Sequence, residues 1–121
     1  MRRKSLGNLG ENLALKYLRK NKGYRFLERN FHSKFGEIDL IFRDKKTIVF
    51  VEVKTRFSQS FGRPEEAVRF GKIASIIKTA QYFQFLHPDL VQSWRIDVVA
   101  VDLDPQSEEV IQIEHFQNIT L

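Results

Sequence analysis

Three residues near the middle of the chain have types and spacings that could do chemistry. Asp39 lies in Gly36-Glu37-Ile38-Asp39-Leu40-Ile41-Phe42, and Glu52 and Lys54 lie in Ile48-Val49-Phe50-Val51-Glu52-Val53-Lys54. Both segments are otherwise rich in β-branched and apolar residues and read as strands, joined by the polar turn Arg43-Asp44-Lys45-Lys46. Side chains alternate along a strand, so Glu37, Asp39 and Ile41 share one face of the first segment. In the second, Phe50, Glu52 and Lys54 share one face and Val49, Val51 and Val53 the other. With Lys45-Lys46 as the tight turn, Asp39 falls directly opposite Glu52; a register shifted by one residue would separate them.

Charges set into strands this apolar are costly unless they are paired or bind a metal. Two neighbouring carboxylates repel each other, and a divalent cation removes that repulsion. Oxygen-only ligands suit Mg²⁺ or Mn²⁺, which keep several waters and also bind phosphate oxygens. The Lys54 ammonium, two residues along on the Glu52 face, could hold an attacking water or offset charge building on a phosphate. The plainer alternative is a buried ion pair or a solvated sheet face, and a Glu-x-Lys tripeptide alone favours it. Asp39, correctly spaced on the preceding strand, turns the balance toward a metal site.

The charge distribution supplies a partner for such a site. The chain of 121 residues carries a net charge of +5. Up to Lys72 there are 18 basic and 8 acidic residues, which is +10; from Ile73 onward Lys78 and Arg95 face seven acids, which is −5. A basic first part points to an anionic partner, nucleic acid being the commonest. With no cysteine, a disulfide scaffold, a thiolate metal site and thiol catalysis are excluded. The basic start Met1-Arg2-Arg3-Lys4 is followed by no signal-peptide apolar run, and nowhere do about 18 apolar residues run together. The expectation is a soluble cytoplasmic protein with no membrane partner. At roughly 150 residues per domain, residues 1–121 form one domain.

The elements that must position these residues follow from periodicity. Ser5 suits an N-cap, and an amphipathic helix to about Asn21 places Leu6, Leu9, Leu13, Ala14, Tyr17 and Leu18 on one face. Gly23 supplies its stop. Tyr24 to Phe31 reads as a strand, followed by the two strands above; Thr55 to Arg63 reads as a mobile basic loop. Pro64 suits a first helical turn, and the helical spacing is firmest from about Phe70 to Leu86, closed by Pro88. Trp94 to Leu103 is a strongly apolar strand and Val110 to Phe116 an edge strand. The order helix, three strands, helix, two strands predicts an α/β fold with one mixed five-stranded sheet flanked by helices.

Glu11, Gly36-Glu37-Ile38-Asp39-Leu40-Ile41, Val49-Phe50-Val51-Glu52-Val53-Lys54-Thr55-Arg56, Phe61-Gly62-Arg63-Pro64-Glu65-Glu66-Ala67-Val68, Lys72 and Arg95-Ile96-Asp97-Val98-Val99-Ala100-Val101 together resemble the YraN family of small bacterial proteins. The resemblance runs from about Gly7 to Val101. That family is similar in turn to the PD-(D/E)xK nuclease superfamily and, within it, to the archaeal Holliday junction resolvases. The resemblance implies a restriction-endonuclease-like core and a metal-dependent endonuclease acting on DNA, including branched DNA. By position it makes Asp39 the metal-binding aspartate, Glu52 and Lys54 the (D/E)xK pair, and Glu11 a helical glutamate that helps with metal or water. Ile38 stands where the motif's name has Pro. By analogy with resolvases it also suggests a homodimer.

Other residues suit supporting roles. Arg56, Arg63, Arg69 and Lys72 follow the site and form the best candidate surface for phosphate contacts, although each alone reads as solvated. Phe57 and Phe61 could stack on bases, but anchoring their loop to the core is the plainer role. Glu37 could support the site from outside or simply be a surface charge. Asp97, next to Arg95 in an apolar strand, reads as part of an ion pair or a structural hydrogen bond, and His32, His87 and His115 show no ligand spacing. The alternative to an enzyme is a binding module that keeps a nuclease scaffold and turns over little.

Overall fold

A computed structural model describes residues 3–57, 70–90 and 93–119. The elements run α1 (Arg3–Lys20), β1 (Arg25–Ser33), β2 (Gly36–Asp44), β3 (Thr47–Phe57), α2 (Phe70–Leu86), β4 (Ser93–Leu103) and β5 (Val110–Phe116). The strands form one sheet in the order β1-β2-β3-β4-β5. Neighbours are antiparallel except β3 and β4, whose parallel pairing requires the crossover that contains α2. This is the mixed five-stranded α/β architecture that the element order implied, with β5 at the edge. No helix among the described residues is long and apolar enough to cross a membrane.

The apolar pattern explains the layering. Ala14 and Leu18 of α1 pack with Leu40, Phe42, Val49, Val51, Val99 and Val101, and Leu6, Leu9, Leu13 and Tyr17 extend that cluster. Ile76, Ala80 and Phe83 of α2 cover the other side with Phe31, Ile41, Ile48, Phe50 and Ile96. Phe83 meets Phe31 and Phe50 edge-on, at centroid distances of 5.3 and 5.6 Å. Truncating such a ring costs about 3–5 kcal/mol. Covered by helices on both sides, the central strands can bury both faces, and Ile96 to Leu103 is buried without a break, Asp97 and Asp102 included.

Local details refine the sequence reading. Helix α1 begins at Arg3, so Ser5 sits inside its first turn instead of capping it. At its other end, Gly23 adopts φ +69° and the Tyr24 N–H closes back on the Leu18 carbonyl at 3.1 Å. Thr55 to Phe57, expected in a loop, continue β3 because Val101 to Leu103 offer them a parallel ladder. Phe57 packs into the α1-side cluster, which is the anchoring role. Phe61, Arg63, Pro64 and Arg69 lie outside the described residues.

Candidate metal and nucleic-acid site

The β2–β3 hairpin has the register that the Lys45-Lys46 turn implies. Asp44 pairs with Thr47, and the ladder runs without a shift to Leu40 and Val51. The next position in that register sets Asp39 against Glu52. There the backbone ladder ends, and the Val53 N–H instead donates to Asp39 Oδ2 at 2.8 Å. The pleat also breaks at Asp39. Ile38 packs with Ile41 on the α2 side, whereas Leu40 and Phe42 face α1. Strict alternation, which would group Glu37, Asp39 and Ile41, therefore fails here. Opposite this position on β1, Asn30 takes a left-handed φ of 54° and the ladder passes from Arg29–Leu40 to Phe31–Ile38 without an Asn30–Asp39 pair. The Asp39 carboxyl instead meets β3 through the Val53 N–H.

The environment of the two acids is electrostatically unfinished. Glu52 is 5% exposed, and its Oε2 is buried with no hydrogen-bond partner. The Lys72 ammonium, on α2 and itself half exposed, lies 3.5 Å from that oxygen. Burial, then the adjacent Glu52 charge, pushes the Asp39 carboxyl up to about 8, although the Val53 N–H acts in the opposite direction. At neutral pH the pair therefore holds a proton that an isolated aspartate would have lost.

Helix α1 closes the other wall. At Gly10 a β-carbon would stand 1.7 Å from Thr55 Oγ1, so only glycine lets the helix cross β3 this closely. A mid-helix glycine costs about 1 kcal/mol relative to alanine, and that cost is the sequence signal of a close approach. The crossing brings Glu11 to a cleft of about 430 Å³ that it lines together with Asp39, Glu52, Lys54 and Thr55. Glu11 Oε1 is already held by Arg29 Nε at 3.1 Å and Asn30 Nδ2 at 3.2 Å. Among the described residues no three Asp, Glu or His side chains converge closely enough to hold an ion by themselves.

The residues present nonetheless fit a divalent cation. The orphaned Glu52 oxygen and the proton-loaded Asp39 form an oxygen donor set short of positive charge. Mg²⁺ is commonly held by one or two carboxylates, with waters and substrate phosphates completing its shell, and needs no three-acid cage. Asp39 and Glu52 would hold the ion, and Glu11 lies within electrostatic range of Asp39.

The remaining candidates separate. Lys54 lines the cleft, partly buried. Arg56 is drawn into the sheet: its Nε meets Oδ1 of its register partner Asp102 at 2.6 Å, and Asp102 is 1% exposed. Lys72, expected on an outer phosphate surface, belongs to the acidic pair. Glu37 faces His32 at 3.9 Å, away from the Asp39 hydrogen bond. Asp97 is fully buried and bonded to Arg95, the ion pair that the sequence suggested. It also bonds His115 Nε2 at 2.7 Å, a partnership invisible in the spacing because it depends on β4–β5 pairing.

The model described as "Uncharacterised protein family UPF0102" matches residues 10–101, a span that holds Glu11, Asp39, Glu52, Lys54 and Lys72. A UPF0102 protein of Caldanaerobacter subterraneus subsp. tengcongensis is 45% identical over 116 residues, covering 96% of this chain and 94% of its own. Another, from Persephonella marina, is 46% identical over 95 residues, or 78% of this chain and 81% of its own. A third, from Clostridium botulinum, is 47% identical over 104 residues, or 84% and 82%.

Proposed function

The chain belongs to the UPF0102 family, the YraN family that its motifs resemble, and from that premise we propose a metal-dependent endonuclease that hydrolyses phosphodiester bonds in DNA. The observation that carries this reading is the buried Glu52 Oε2 without a hydrogen bond, beside an Asp39 whose carboxyl is driven up to about 8. The positive group beside Glu52 Oε2 is the half-exposed Lys72 ammonium at 3.5 Å, which makes no hydrogen bond to it, so the pair of buried acids keeps capacity for a further cation.

A bound Mg²⁺ or Mn²⁺ would neutralise phosphate charge and make a water acidic enough to attack at neutral pH. Asp39, its Oδ2 oriented by the Val53 N–H, would hold the ion in its deprotonated form. Glu52, buried in the middle of β3, would offer a second carboxylate to the same ion. Lys54, on the same cleft, places an ammonium where charge develops on the phosphate or where a water must be oriented. The basic residues of the first part of the chain attract the phosphate backbone without reading its sequence.

A second reading, a binding module that turns over little, is favoured by the absence of a three-acid cluster among the described residues. One experiment separates the two. Linear, flapped and four-way DNA are incubated with Mg²⁺ or Mn²⁺ and the wild type, Asp39→Ala or Lys54→Ala. Cutting by the wild type alone is expected. DNA bound at about 50 mM salt, where phosphate contacts are strong, but never cut would leave the binding module.

A further inference from the structure

Of the three exposed Phe and Tyr rings among the described residues, two lie together beyond the cleft. Phe35, at the β1–β2 turn, and Tyr82, on α2, are each 42% exposed. They share a depression of about 370 Å³ with His32, Ser33 and Lys34. Neither ring sits on a loose tip. The Phe35 N–H donates to Ser33 Oγ at 3.0 Å, and Ser75 Oγ donates to the Phe35 carbonyl at 2.7 Å. The Ser33 and Thr79 hydroxyls meet at 2.9 Å, clamping the turn to α2. Gly36 permits that clamp, since at φ +151° a β-carbon would stand 2.4 Å from Ser75 Oγ. Tyr82 is steadied by stacking on Phe31 at 6.0 Å.

Charge identifies what these rings would meet. The ammonium groups of Lys34 and Lys78 lie over the Phe35 ring, 5.2 and 5.4 Å from its centroid, so a base that stacks there takes the place of one of these exposed side chains, which then meets the phosphate beside it. Lys78 is one of only two basic residues after Lys72, in an otherwise acidic stretch. The depression is also linked to the cleft through shared lining residues. A middle hollow lined by Gly7, Asn8, Glu11, Asn30, His32 and Glu37 shares Gly7 and Glu11 with the cleft, and His32 with the aromatic depression. The Asn amides and carboxylates of that hollow suit the polar edges of bases and repel phosphates. A strand following this path would turn its bases inward, which a paired duplex cannot do.

We propose that Phe35 and Tyr82, flanked by Lys34 and Lys78, form a stacking platform for unpaired bases of a single strand that continues from the catalytic cleft. The substrate class is then DNA with an unpaired stretch beside the cut. The proposal deepens the nuclease reading and rests on it for the position of the scissile phosphate. Stacking and cation contacts of this kind bind strands without reading sequence.

The test is binding without cutting. Fluorescence anisotropy in EDTA compares a single-stranded thymidine oligomer of about 12 nucleotides, within the span of known single-strand sites, with a hairpin duplex. The wild type should prefer the single strand. Phe35→Ala should weaken single-strand binding about tenfold and leave the duplex unchanged, and Phe35→Trp should restore it. Lys78→Gln should lower the salt slope for the single strand by about 0.7. Binding of neither probe, equal loss on both, no loss, or failure of the Trp variant to restore binding while its circular dichroism is native, each overturns the platform. If Phe35 governs single-strand binding but no DNA is ever cut, the platform stands and the nuclease reading falls. If DNA is cut and Phe35→Ala binds like the wild type, the reverse holds.

Discussion

Two aspartates on this sheet are held in opposite ways. Asp97 on β4 accepts from Arg95 Nε at 3.1 and 3.2 Å, His115 Nε2 at 2.7 Å and the Asn118 N–H at 2.8 Å. Against the penalty of burial, those bonds hold its carboxyl below the usual aspartate range. Arg95 in turn reaches the Tyr24 hydroxyl at 2.7 Å and Asp44 at 3.4 Å. The one loose end is His115 Nδ1, a buried acceptor once Nε2 donates to Asp97. Asp39 has the Val53 N–H and, across from it, another acid whose Oε2 lacks any hydrogen bond. Both Asp97 oxygens are bonded as folded, so the first cluster stabilises the fold. In the second, Glu52 Oε2 has only the half-exposed Lys72 ammonium at 3.5 Å and no hydrogen bond, which under the proposed function leaves room for a cation. A buried carboxylate points to function when its partners are missing, and burial alone does not separate the cases.

The difference can be broken by substitution. The largest expected effect is on activity: Asp39→Ala should lower Mg²⁺-dependent cleavage by on the order of 10³-fold or more, since several kcal/mol of charge stabilisation depend on the held ion. Asp97→Ala should act on stability instead. Leaving Arg95 and His115 without their buried partner should cost about 3–5 kcal/mol, read as a lower urea midpoint. If Asp39→Ala destabilised metal-free protein as much as Asp97→Ala does, the contrast would collapse.

Titration sharpens the same contrast, because the two shifts have opposite signs. Asp97 has a folded pKa below its unfolded value, so its contribution is present above about pH 4 and is lost as pH falls through the folded pKa. Asp39, raised to about 8, favours the folded state while protonated, and that contribution is lost as pH rises between about 4 and 8. In EDTA, the stability difference between wild type and Asp39→Asn should therefore move toward the variant across this window. Mg²⁺ should flatten the trend, and calorimetry in buffers of different ionisation heat should show proton release on Mg²⁺ binding near neutral pH. No pH trend in EDTA would remove the proton from the Asp39–Glu52 pair. The smallest effect belongs to Lys72. Its half-exposed ammonium opposes a cation at Glu52, and Lys72→Gln should tighten Mg²⁺ binding about two- to fivefold by calorimetry, the scale of an exposed charge pair.

Much of the site was readable because it is local. The Lys45-Lys46 turn sets the hairpin register as far as Leu40 and Val51, and extending it by one position brings Asp39 level with Glu52, although the break in the pleat at Asp39 was not legible. The apolar spacing of Leu6, Leu9, Leu13, Ala14, Tyr17 and Leu18 likewise predicted which face of α1 is buried. The misreadings fall where a distant partner intervenes. Thr55 to Phe57 read as loop because their composition is polar and basic, yet β4 extends them as strand. Arg56 read as a phosphate contact because nothing nearby in sequence claims it, yet Asp102, 46 residues away, does. His115 looked idle for the same reason.

The sequence by itself determined the acidic pair, the lysine beside it, the basic bias of the first part of the chain and the α/β order, since these depend on turn length, alternation and composition. Only the tertiary structure decided that the pair is left incomplete and Asp97 is not. Which buried oxygens find a donor depends on where α1, α2 and β5 pack, and hydrogen bonds across 18 to 46 residues have no periodic signature along the chain.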